Sequence, residues 1–222
     1  MTATTEFFEA IRSGDVAAVD EHLRGDATLA TARNESGISA LLWAYYSGQP
    51  GVAERLLTSG VELNIFEAAA AGDLGRTREL LARDPALVDA CTADGFSPLG
   101  LAAFFGRPEV LKLLLNEGAE PNSPSRNAMR VTALHSAAAN REPELSLRMV
   151  ETLLRSGADP NVKQHGGWTP LQQAAAHGRT QIVNVLLAHG ADPAARSDDG
   201  KTAADKAAEG GHAEIAELLR PR

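Results

Sequence analysis

The residues best able to do chemistry are six histidines, one cysteine and the tripeptide Gly200-Lys201-Thr202. Clustered histidines bind zinc, a cysteine beside a base is a nucleophile, and a Gly-Lys-Thr run can close a phosphate-binding loop. His165, His177 and His189 are each 12 residues apart. That spacing matches neither the i,i+4 arrangement of helical zinc ligands nor a short ligand loop. We therefore predict no metal site and no cofactor.

Neither the cysteine nor the Gly-Lys-Thr run completes a reactive motif. No histidine or basic cluster lies beside Cys91 to activate its thiol, so a partly buried, unreactive thiol is expected. A phosphate-binding loop needs an earlier glycine, and Ala195 stands at that position. The sequence has no CxxC, HExxH or GxSxG motif, and no GxGxxG motif after a strand. These observations predict that the chain is not an enzyme and has no catalytic residue.

The composition is that of an acidic chain without a membrane or nucleic-acid signature. Lysine and arginine total 21 against 29 aspartates and glutamates, a formal net charge of −8. This charge disfavours sequence-independent nucleic-acid binding and anionic membranes. No run approaches the roughly 20 apolar residues of a membrane span, and residues 1–15 do not resemble a secretion signal. With a single cysteine, these features predict a cytoplasmic protein.

Charge is distributed unevenly along the chain. Residues 1–36 carry seven acids against three arginines, whereas residues 123–155 carry five arginines against three glutamates. A solvated acidic end and a chance arginine cluster explain this pattern more simply than two binding surfaces do. Both interpretations stay open at this point.

A repeat of about 33 residues organises the chain and must position all of these side chains. The segments 116–122, 155–161 and 188–194 read NEGAEPN, RSGADPN and AHGADPA, and each follows two or three consecutive leucines. The step from Gly157 to Gly190 is 33 residues. Self-similarity at such a period is typical of stacked repeat proteins.

The most complete unit, residues 166–193, reads GGWTPLQQAAAHGRTQIVNVLLAHGADP. It resembles the ankyrin repeat, whose pattern is G-x-T-P-L-x-x-A-A-x-x-G followed by V-x-x-L-L-x-x-G-A-D. The resemblance implies an all-α solenoid of about seven helix-turn-helix units with short β-hairpin-like fingers, in a single domain over residues 1–222. The expected units are approximately 5–33, 34–64, 65–91, 92–122, 123–161, 162–194 and 195–222.

Residue types within the complete unit agree with two helices. Thr169 is expected to cap the first helix, and Pro170 to occupy its first turn, where a missing N–H has no cost. Leucines and alanines at three- to four-residue spacing form an apolar stripe, and Gly178 and Gly190 are expected to end the two helices. A single unit cannot bury this stripe alone, so the units must stack.

A second period of 58 residues lies over the first. It aligns Asp15 with Asp73, so the first four units look like a duplicated pair in which a short unit without Thr-Pro-Leu precedes a full one. The fifth unit is irregular, with two extra residues in the finger 123–131 and four around 141–149. Such insertions map to loops, often on a binding face. Tolerated surface drift explains them equally well.

The resemblance also implies a protein partner, because ankyrin stacks generally bind proteins on a concave face made of fingertips and first helices. Transferring those positions residue by residue gives three finger residues, three residues at the ends of first helices, and two residues of the long finger. The predicted partner-binding residues are Ile38, Phe96 and Trp168; Tyr46, Phe104 and His177; and Met129 and Arg130.

Aromatic residues concentrate at these positions. Five of the ten aromatic residues lie there, namely Tyr46, Phe96, Phe104, Phe105 and Trp168. An aromatic side chain outside the core exposes apolar surface, and exposed aromatics dominate protein interfaces. The alternative is packing between adjacent units. We favour packing for Phe105 and binding for Trp168, Phe96 and Phe104.

His135 is the remaining histidine with an expected role. It ends the run Thr-Ala-Leu-His, where ankyrin repeats commonly carry a histidine that hydrogen-bonds neighbouring loops, so a structural role is expected.

The predicted function is a non-enzymatic module that binds another protein, as its regulator or stabiliser. The alternative is an enzyme or metal-binding protein on an ankyrin scaffold, which would need convergent polar groups that no spacing supplies. The polar seventh unit is typical of a solvent-facing end and predicts a monomer, with self-association through terminal units as the alternative.

Overall fold

The structure, a computed structural model, describes residues 2–220, in which helices alternate with turns. Fourteen α-helices lie within these residues, and no strand does. The helices are α1 (Ala3–Ser13), α2 (Val16–Gly25), α3 (Ala40–Tyr46), α4 (Pro50–Leu57), α5 (Ile65–Ala71), α6 (Leu74–Arg83), α7 (Pro98–Phe104), α8 (Pro108–Asn116), α9 (Ala133–Ala139), α10 (Pro143–Arg155), α11 (Pro170–Ala176), α12 (Thr180–Ala188), α13 (Ala203–Glu209) and α14 (Ala213–Leu218). The predicted all-α architecture is confirmed.

Six of the seven odd-numbered helices among residues 2–220 begin at a side-chain cap, and α9 is the exception. Thr169 Oγ1 accepts a hydrogen bond from the Gln172 amide at 3.3 Å, and the Gln172 side chain accepts one from the Thr169 amide at 2.9 Å. This reciprocal pair, with Pro170 in the first turn, starts α11 as the sequence predicts. Gly178 does not itself end α11, which stops at Ala176. It lies two residues later with φ of 70°, where it turns the chain into α12.

The short units that lack Thr-Pro-Leu use other caps. Asn64 starts α5 by accepting hydrogen bonds from the amides of Phe66 and Glu67 at 2.9 and 3.1 Å. Asp15 and Asp73, which the 58-residue period aligns, cap α2 and α6 in the same way. The two copies of the duplicated pair therefore use equivalent residues for equivalent structural roles.

The helices pack in consecutive pairs, and the pairs stack in chain order. Each odd-numbered helix contacts the even-numbered helix that follows it, from α1 with α2 to α13 with α14. Each odd-numbered helix also contacts the next odd-numbered one, from α1 with α3 to α11 with α13. Contacts between neighbours in sequence build the array, as expected of stacked repeats.

The fingers between helix pairs are tight turns. Backbone hydrogen bonds close them, for example from the Thr92 amide to the Phe96 carbonyl at 3.0 Å and from the Gln164 amide to the Trp168 carbonyl at 3.0 Å. The Asp198 amide also donates to the Gly166 carbonyl at 2.9 Å, which ties one finger to the next. These hydrogen bonds close the turns as in a hairpin. They do not make strands, because the one β-bridge within residues 2–220 is an isolated antiparallel pair of Arg33 and Ser39.

The apolar core has three parts. One cluster spans residues 7–68 and a larger one spans residues 65–219. A third, small cluster of Ile38, Leu42, Ala70 and Leu101 lies among aromatic rings from both sides and joins the other two. The candidate site borders this junction.

Candidate functional site

An aromatic cluster forms where α3 and α7 end. The ring centroid of Phe105 lies 5.3 Å from that of Tyr45, 5.7 Å from that of Tyr46 and 5.0 Å from that of Phe104. The rings of Tyr46 and Phe96 are 6.5 Å apart. Aromatic pairs at such distances stabilise beyond the apolar area that they bury.

The cluster depends on the small residues of α5. This helix lies between α3 and α7 in the stack and ends in four alanines, of which Ala70 belongs to the junction cluster and is fully buried. Because alanine carries only a methyl group, rings from the helices on either side meet across α5. The sequence therefore brings together residues of units that are not adjacent in the chain.

A groove of about 570 Å³ opens beside this cluster. Its lining comes from the ends of α3, α7 and α11, and from α9, α10 and the turn between them. It includes Tyr45, Tyr46, Phe104, Phe105, Asn140, Arg141, Glu142, Leu145 and His177. Phe104 is 53% exposed, which is unusual for so large an apolar side chain. The groove thus combines an exposed aromatic ring with polar groups on one rim.

The two tyrosines keep their protons at neutral pH. Burial, followed by the nearby Asp94 carboxylate, raises the pKa of Tyr46. Burial also raises the pKa of Tyr45, and the Arg107 guanidinium opposes that shift in part. The Tyr46 hydroxyl is buried, and no residue of the described chain accepts or donates a hydrogen bond to it. Both phenols are therefore neutral parts of the groove wall.

Arg141 lines the groove and was not among the predicted site residues. Arg107 and Arg179 occupy one repeat position, the N-cap of α8 and of α12. The equivalent residue of the unit between them is Glu142, at the N-cap of α10, and Arg141 lies one residue before it. The Arg107 guanidinium lies 5.9 Å from the ring centroid of Tyr45, and Arg179 Nη2 donates to the Arg141 carbonyl at 3.2 Å. Repeat register does not single out Arg141, because Glu142 holds the position that Arg107 and Arg179 share.

Three predicted residues, Tyr46, Phe104 and His177, line the groove together. Phe96 does not line it but contacts the Tyr46 ring. Phe105 packs between α3 and α7, so the packing interpretation of this residue is confirmed.

The other predicted residues lie elsewhere. Ile38 is only 4% exposed, inside the junction cluster, so the expectation that this finger position lies outside the core is wrong. Its side chain turns inward because Leu42, Ala70 and Leu101 offer an apolar contact that solvent does not. Met129 and Arg130 are exposed on the long finger and do not line the groove.

Trp168 also lies away from the groove, against the next helix pair. It is half-buried, and the ammonium of Lys206 on α13 lies 4.2 Å from its ring centroid. A cation over an indole face is a favourable contact. This arrangement supports the packing alternative for Trp168, and its role in binding stays a prediction.

A second groove, of about 450 Å³, lies at the first helix pair. Phe8 and Trp43 form its apolar part, and threonines of α1 and residues 33–36 form its rim. None of the predicted binding residues lines it.

His135 has the structural role expected for it. The Trp168 carbonyl, which can only accept, is 3.0 Å from Nε2, so Nε2 carries the proton and Nδ1 accepts from the Thr132 hydroxyl at 2.9 Å. Burial lowers the pKa of His135 to about 4, against the opposing effect of the Trp168 carbonyl. The imidazole is therefore a neutral link between two fingers.

Among residues 2–220, no three His, Cys, Asp or Glu side chains come together as metal ligands would. None of the helices in that range combines the length and apolar character needed to cross a membrane.

Comparison with known proteins identifies the repeat. The sequence model of a family described as ankyrin repeats (3 copies) matches residues 65–164 and, overlapping it, residues 143–222. A protein of Saimiri boliviensis boliviensis named "Ankyrin repeat, SAM and basic leucine zipper domain-containing protein 1" is 35% identical over 117 residues, which are 53% of this chain and 24% of that protein. Proteins of the same name from Nomascus leucogenys and Gorilla gorilla gorilla are 36% and 35% identical over 119 residues. The chain therefore spans about a quarter of the length of these relatives.

Proposed function

The chain belongs to the ankyrin repeat family, and from this premise we propose that it binds a single partner protein on the concave face of its stack, as a non-enzymatic regulator or stabiliser. Ankyrin repeats indicate a protein–protein interaction module. The finer proposal is that the groove beside Phe104 is the centre of that face.

We take the seven consecutive helix pairs as seven repeat units of one domain over residues 1–222, with the tight turns between pairs as fingers. On this view the protein is a cytoplasmic monomer that binds no nucleic acid. The net charge of −8 supports the last point, because nucleic-acid binding needs concentrated positive charge.

The exposure of Phe104 is the observation that carries the proposal. Its ring is 53% exposed beside half-buried aromatic neighbours, so covering it would extend an existing apolar surface. Interface energies concentrate in such aromatic anchors, whose truncation to alanine costs about 2 kcal/mol or more. The half-buried Phe105 behind it holds Phe104 in place, since their rings meet edge to face at 5.0 Å.

The test is affinity capture from native lysate with the full chain as bait, followed by mass spectrometry. We expect Phe104→Ala to lose the proteins that the wild-type chain retains, with binding weakened by roughly 30-fold or more once a partner is in hand. Because Phe104 is exposed, its truncation should shift the melting temperature little.

Leu218→Ala is the matched control, since Leu218 is 51% exposed on α14 and does not line the groove. This variant should retain the same proteins as the wild type. Equal capture by the wild-type and Phe104→Ala chains would place the binding surface elsewhere and overturn the proposal.

A further inference from the structure

The long finger, residues 123–131, differs from the other fingers in its backbone. Two residues before the N-cap of the next helix, the fingers before α3, α7, α11 and α13 carry a glycine with φ between 70° and 87°, namely Gly37, Gly95, Gly167 and Gly200. The long finger carries Arg130 at this position, with φ of 49°. Among residues 2–220, Arg130 is the one non-glycine residue with positive φ. This left-handed conformation favours glycine, because a Cβ atom is crowded in it.

The internal contacts of the long finger do not explain an arginine at this position. The finger is closed by a hydrogen bond from the Ser125 amide to the Val131 carbonyl at 2.8 Å. Asn127 ties it to the preceding finger by donating to the Asp94 carbonyl at 2.8 Å. The Arg130 side chain is exposed and forms no ion pair with a carboxylate of residues 2–220. Backbone strain that serves no internal contact points to a function for the side chain.

Two neighbouring fingers concentrate positive charge in this acidic chain. The long finger and the finger before α11 carry Arg126, Arg130 and Lys163 and contain no aspartate or glutamate. The His165 amide donates to the Met129 carbonyl at 2.9 Å, so the two fingers lie side by side. All three cationic side chains are exposed, and none forms an ion pair within residues 2–220. We call these three residues, together with the 51% exposed Met129, the basic fingertip patch.

The other fingers do not extend this charge. Residues 92–96, before α7, carry one charged side chain, Asp94, whose carboxylate accepts a hydrogen bond from the Thr92 hydroxyl at 2.5 Å. Residues 33–38, before α3, and residues 196–201, before α13, each carry equal numbers of acidic and basic residues. In a chain with a net charge of −8, the basic fingertip patch is therefore a local region of opposite potential.

The chemistry of the basic fingertip patch selects carboxylates. A guanidinium group presents its N–H donors in a planar fork that matches the two oxygens of a carboxylate. Lys163 Nζ donates to the Arg196 carbonyl at 2.9 Å, and its ammonium has two further N–H donors. Three cations on an acidic protein are too few for the counterion release that nucleic-acid binding needs. The ligand that fits best is a short acidic segment with an apolar residue for Met129.

We propose that the basic fingertip patch binds an acidic segment of the partner protein, with carboxylates at Arg126 and Arg130 and an apolar side chain against Met129. The inference rests on the proposed binding of a partner protein and deepens it, because it states the charge of a contact region apart from the groove beside Phe104. The strained backbone at Arg130 is retained because a glycine would remove a side chain that binds.

The first experiment is a selection of displayed random 12-residue peptides on the full chain at low ionic strength. We expect the retained peptides to be enriched in aspartate and glutamate around an apolar residue, relative to the unselected pool. A parallel selection on the double variant Arg126→Gln, Arg130→Gly should lose this enrichment. Retention of neutral or basic peptides, or of none, by the wild-type chain would overturn the proposal.

Single variants then measure the contribution of each arginine with one synthesised peptide from the selection. Arg126→Gln and Arg130→Gly should each weaken its binding roughly fivefold, because each removes an ion pair with a carboxylate. Raising the salt to about 0.5 M should weaken the wild-type complex and narrow these differences. Arg24→Gln makes the same charge change at an exposed site on α2 and should leave affinity within about twofold. Equal affinities for the wild type and all variants, or equal losses in all variants, would contradict the proposal.

Thermal unfolding separates binding by Arg130 from a structural role. Because glycine adopts positive φ without strain, Arg130→Gly should unfold at the wild-type temperature or at a higher one. A lower melting temperature together with weaker binding would mean that Arg130 supports the finger, and would overturn its assignment as a binding residue. Arg126→Gln involves no left-handed residue, so it tests the charge of the patch independently.

The same variants distinguish other ligands. Binding of single-stranded RNA or of phosphatidylserine vesicles that Arg126→Gln abolishes would assign the patch to another class of ligand and overturn the proposal. A dimer in light scattering that Arg126→Gln dissociates would overturn it as well. In that case the acidic residues 1–36 of a second copy, with seven acids against three arginines, would be the ligand.

The two proposals fail in distinguishable ways. If protein capture depends on Phe104 but the selected peptides are not acidic, the patch proposal fails and the groove proposal stands. If acidic peptides depend on Arg126 and Arg130 while Phe104→Ala changes nothing, the groove proposal fails and the patch proposal stands. If neither set of variants changes binding, both proposals fall.

Discussion

His135 illustrates how a titratable residue serves structure alone. Its imidazole is 1% exposed, donates to the Trp168 carbonyl and accepts from the Thr132 hydroxyl. The neutral ring uses both nitrogens, with Nε2 donating and Nδ1 accepting. A second proton, on Nδ1, would reverse the direction of the Thr132 hydrogen bond and place a charge in the core, which burial disfavours.

This residue should make stability depend on pH. Burial lowers the pKa of His135 to about 4, whereas an unfolded chain has the ordinary value of 6.5. Between these values the unfolded state binds more protons, so the free energy of unfolding falls as the pH falls from 6.5 towards 4. We expect roughly 2 kcal/mol to be lost between pH 7 and pH 5 from this group alone.

Urea unfolding at several pH values, with the wild type and His135→Gln, measures this contribution. Glutamine cannot titrate but can still donate and accept a hydrogen bond, so its stability should vary less over the same pH range. Parallel pH profiles for the two proteins would show that His135 does not carry the effect.

At the scale of elements, the small side chains of α5 decide which residues of the neighbouring helices can meet. Its alanines leave room for Tyr46 and Phe105, whose rings meet across it at 5.7 Å. Asn64 and Glu67 supply its reciprocal cap in place of the Thr-Pro-Leu start. The short third unit is thus a spacer that lets the side chains of its two neighbours touch.

Enlarging a buried side chain of α5 should lower the free energy of unfolding. Ala70→Leu adds three carbons at a fully buried position of the junction cluster, and overpacking of this kind costs about 1–3 kcal/mol. Chemical denaturation measures the loss. Ala208→Leu makes the same change at an exposed site on α13 and should alter stability by less than about 0.5 kcal/mol. A similar cost at both positions would mean that packing across α5 is not tight.

At the scale of the whole molecule, the two large core clusters meet at the third unit, where Leu80 packs against both and the small junction cluster lies. Residues 7–68 form one cluster and residues 65–219 the other, and aromatic rings around Ile38 and Leu101 connect them. Stacked repeats unfold together only while the interfaces between units are strong enough. The junction should therefore decide whether the protein unfolds in one step.

The two tryptophans make this testable, because Trp43 borders the first cluster and Trp168 lies in the second half of the stack. We expect single-tryptophan variants, Trp168→Phe and Trp43→Phe, to give coincident unfolding curves in the otherwise wild-type chain. Adding Phe105→Ala to each variant should remove about 2 kcal/mol of packing free energy at the junction. The unfolding transition that Trp43 reports should then occur at a lower denaturant concentration than the transition that Trp168 reports.

Phe104→Ala is the control for this comparison, since the neighbouring ring is exposed and its loss should leave the two transitions together. Equal displacement of both transitions by Phe105→Ala would indicate one cooperative core instead of two joined clusters.

Binding residues were harder to predict than elements. The sequence pointed to Tyr46, Phe104 and His177, which share the groove, but it also pointed to Ile38, which is buried. It missed Arg141, whose exposed side chain lines the groove. A finger position is exposed or buried according to the size of residues in neighbouring units, and no single unit contains that information.

The sequence by itself determined the helices and their order, because the signals are local. Thr169 and Pro170 act within one turn, and the apolar stripe repeats every three or four residues within one helix. Only the tertiary structure decided which aromatic rings stay exposed. Phe104 and Phe105 are adjacent in the chain, yet Phe104 is exposed and Phe105 packs on Tyr45 and Tyr46, because successive side chains at the end of a helix point in different directions and only one of them meets the rings of α3.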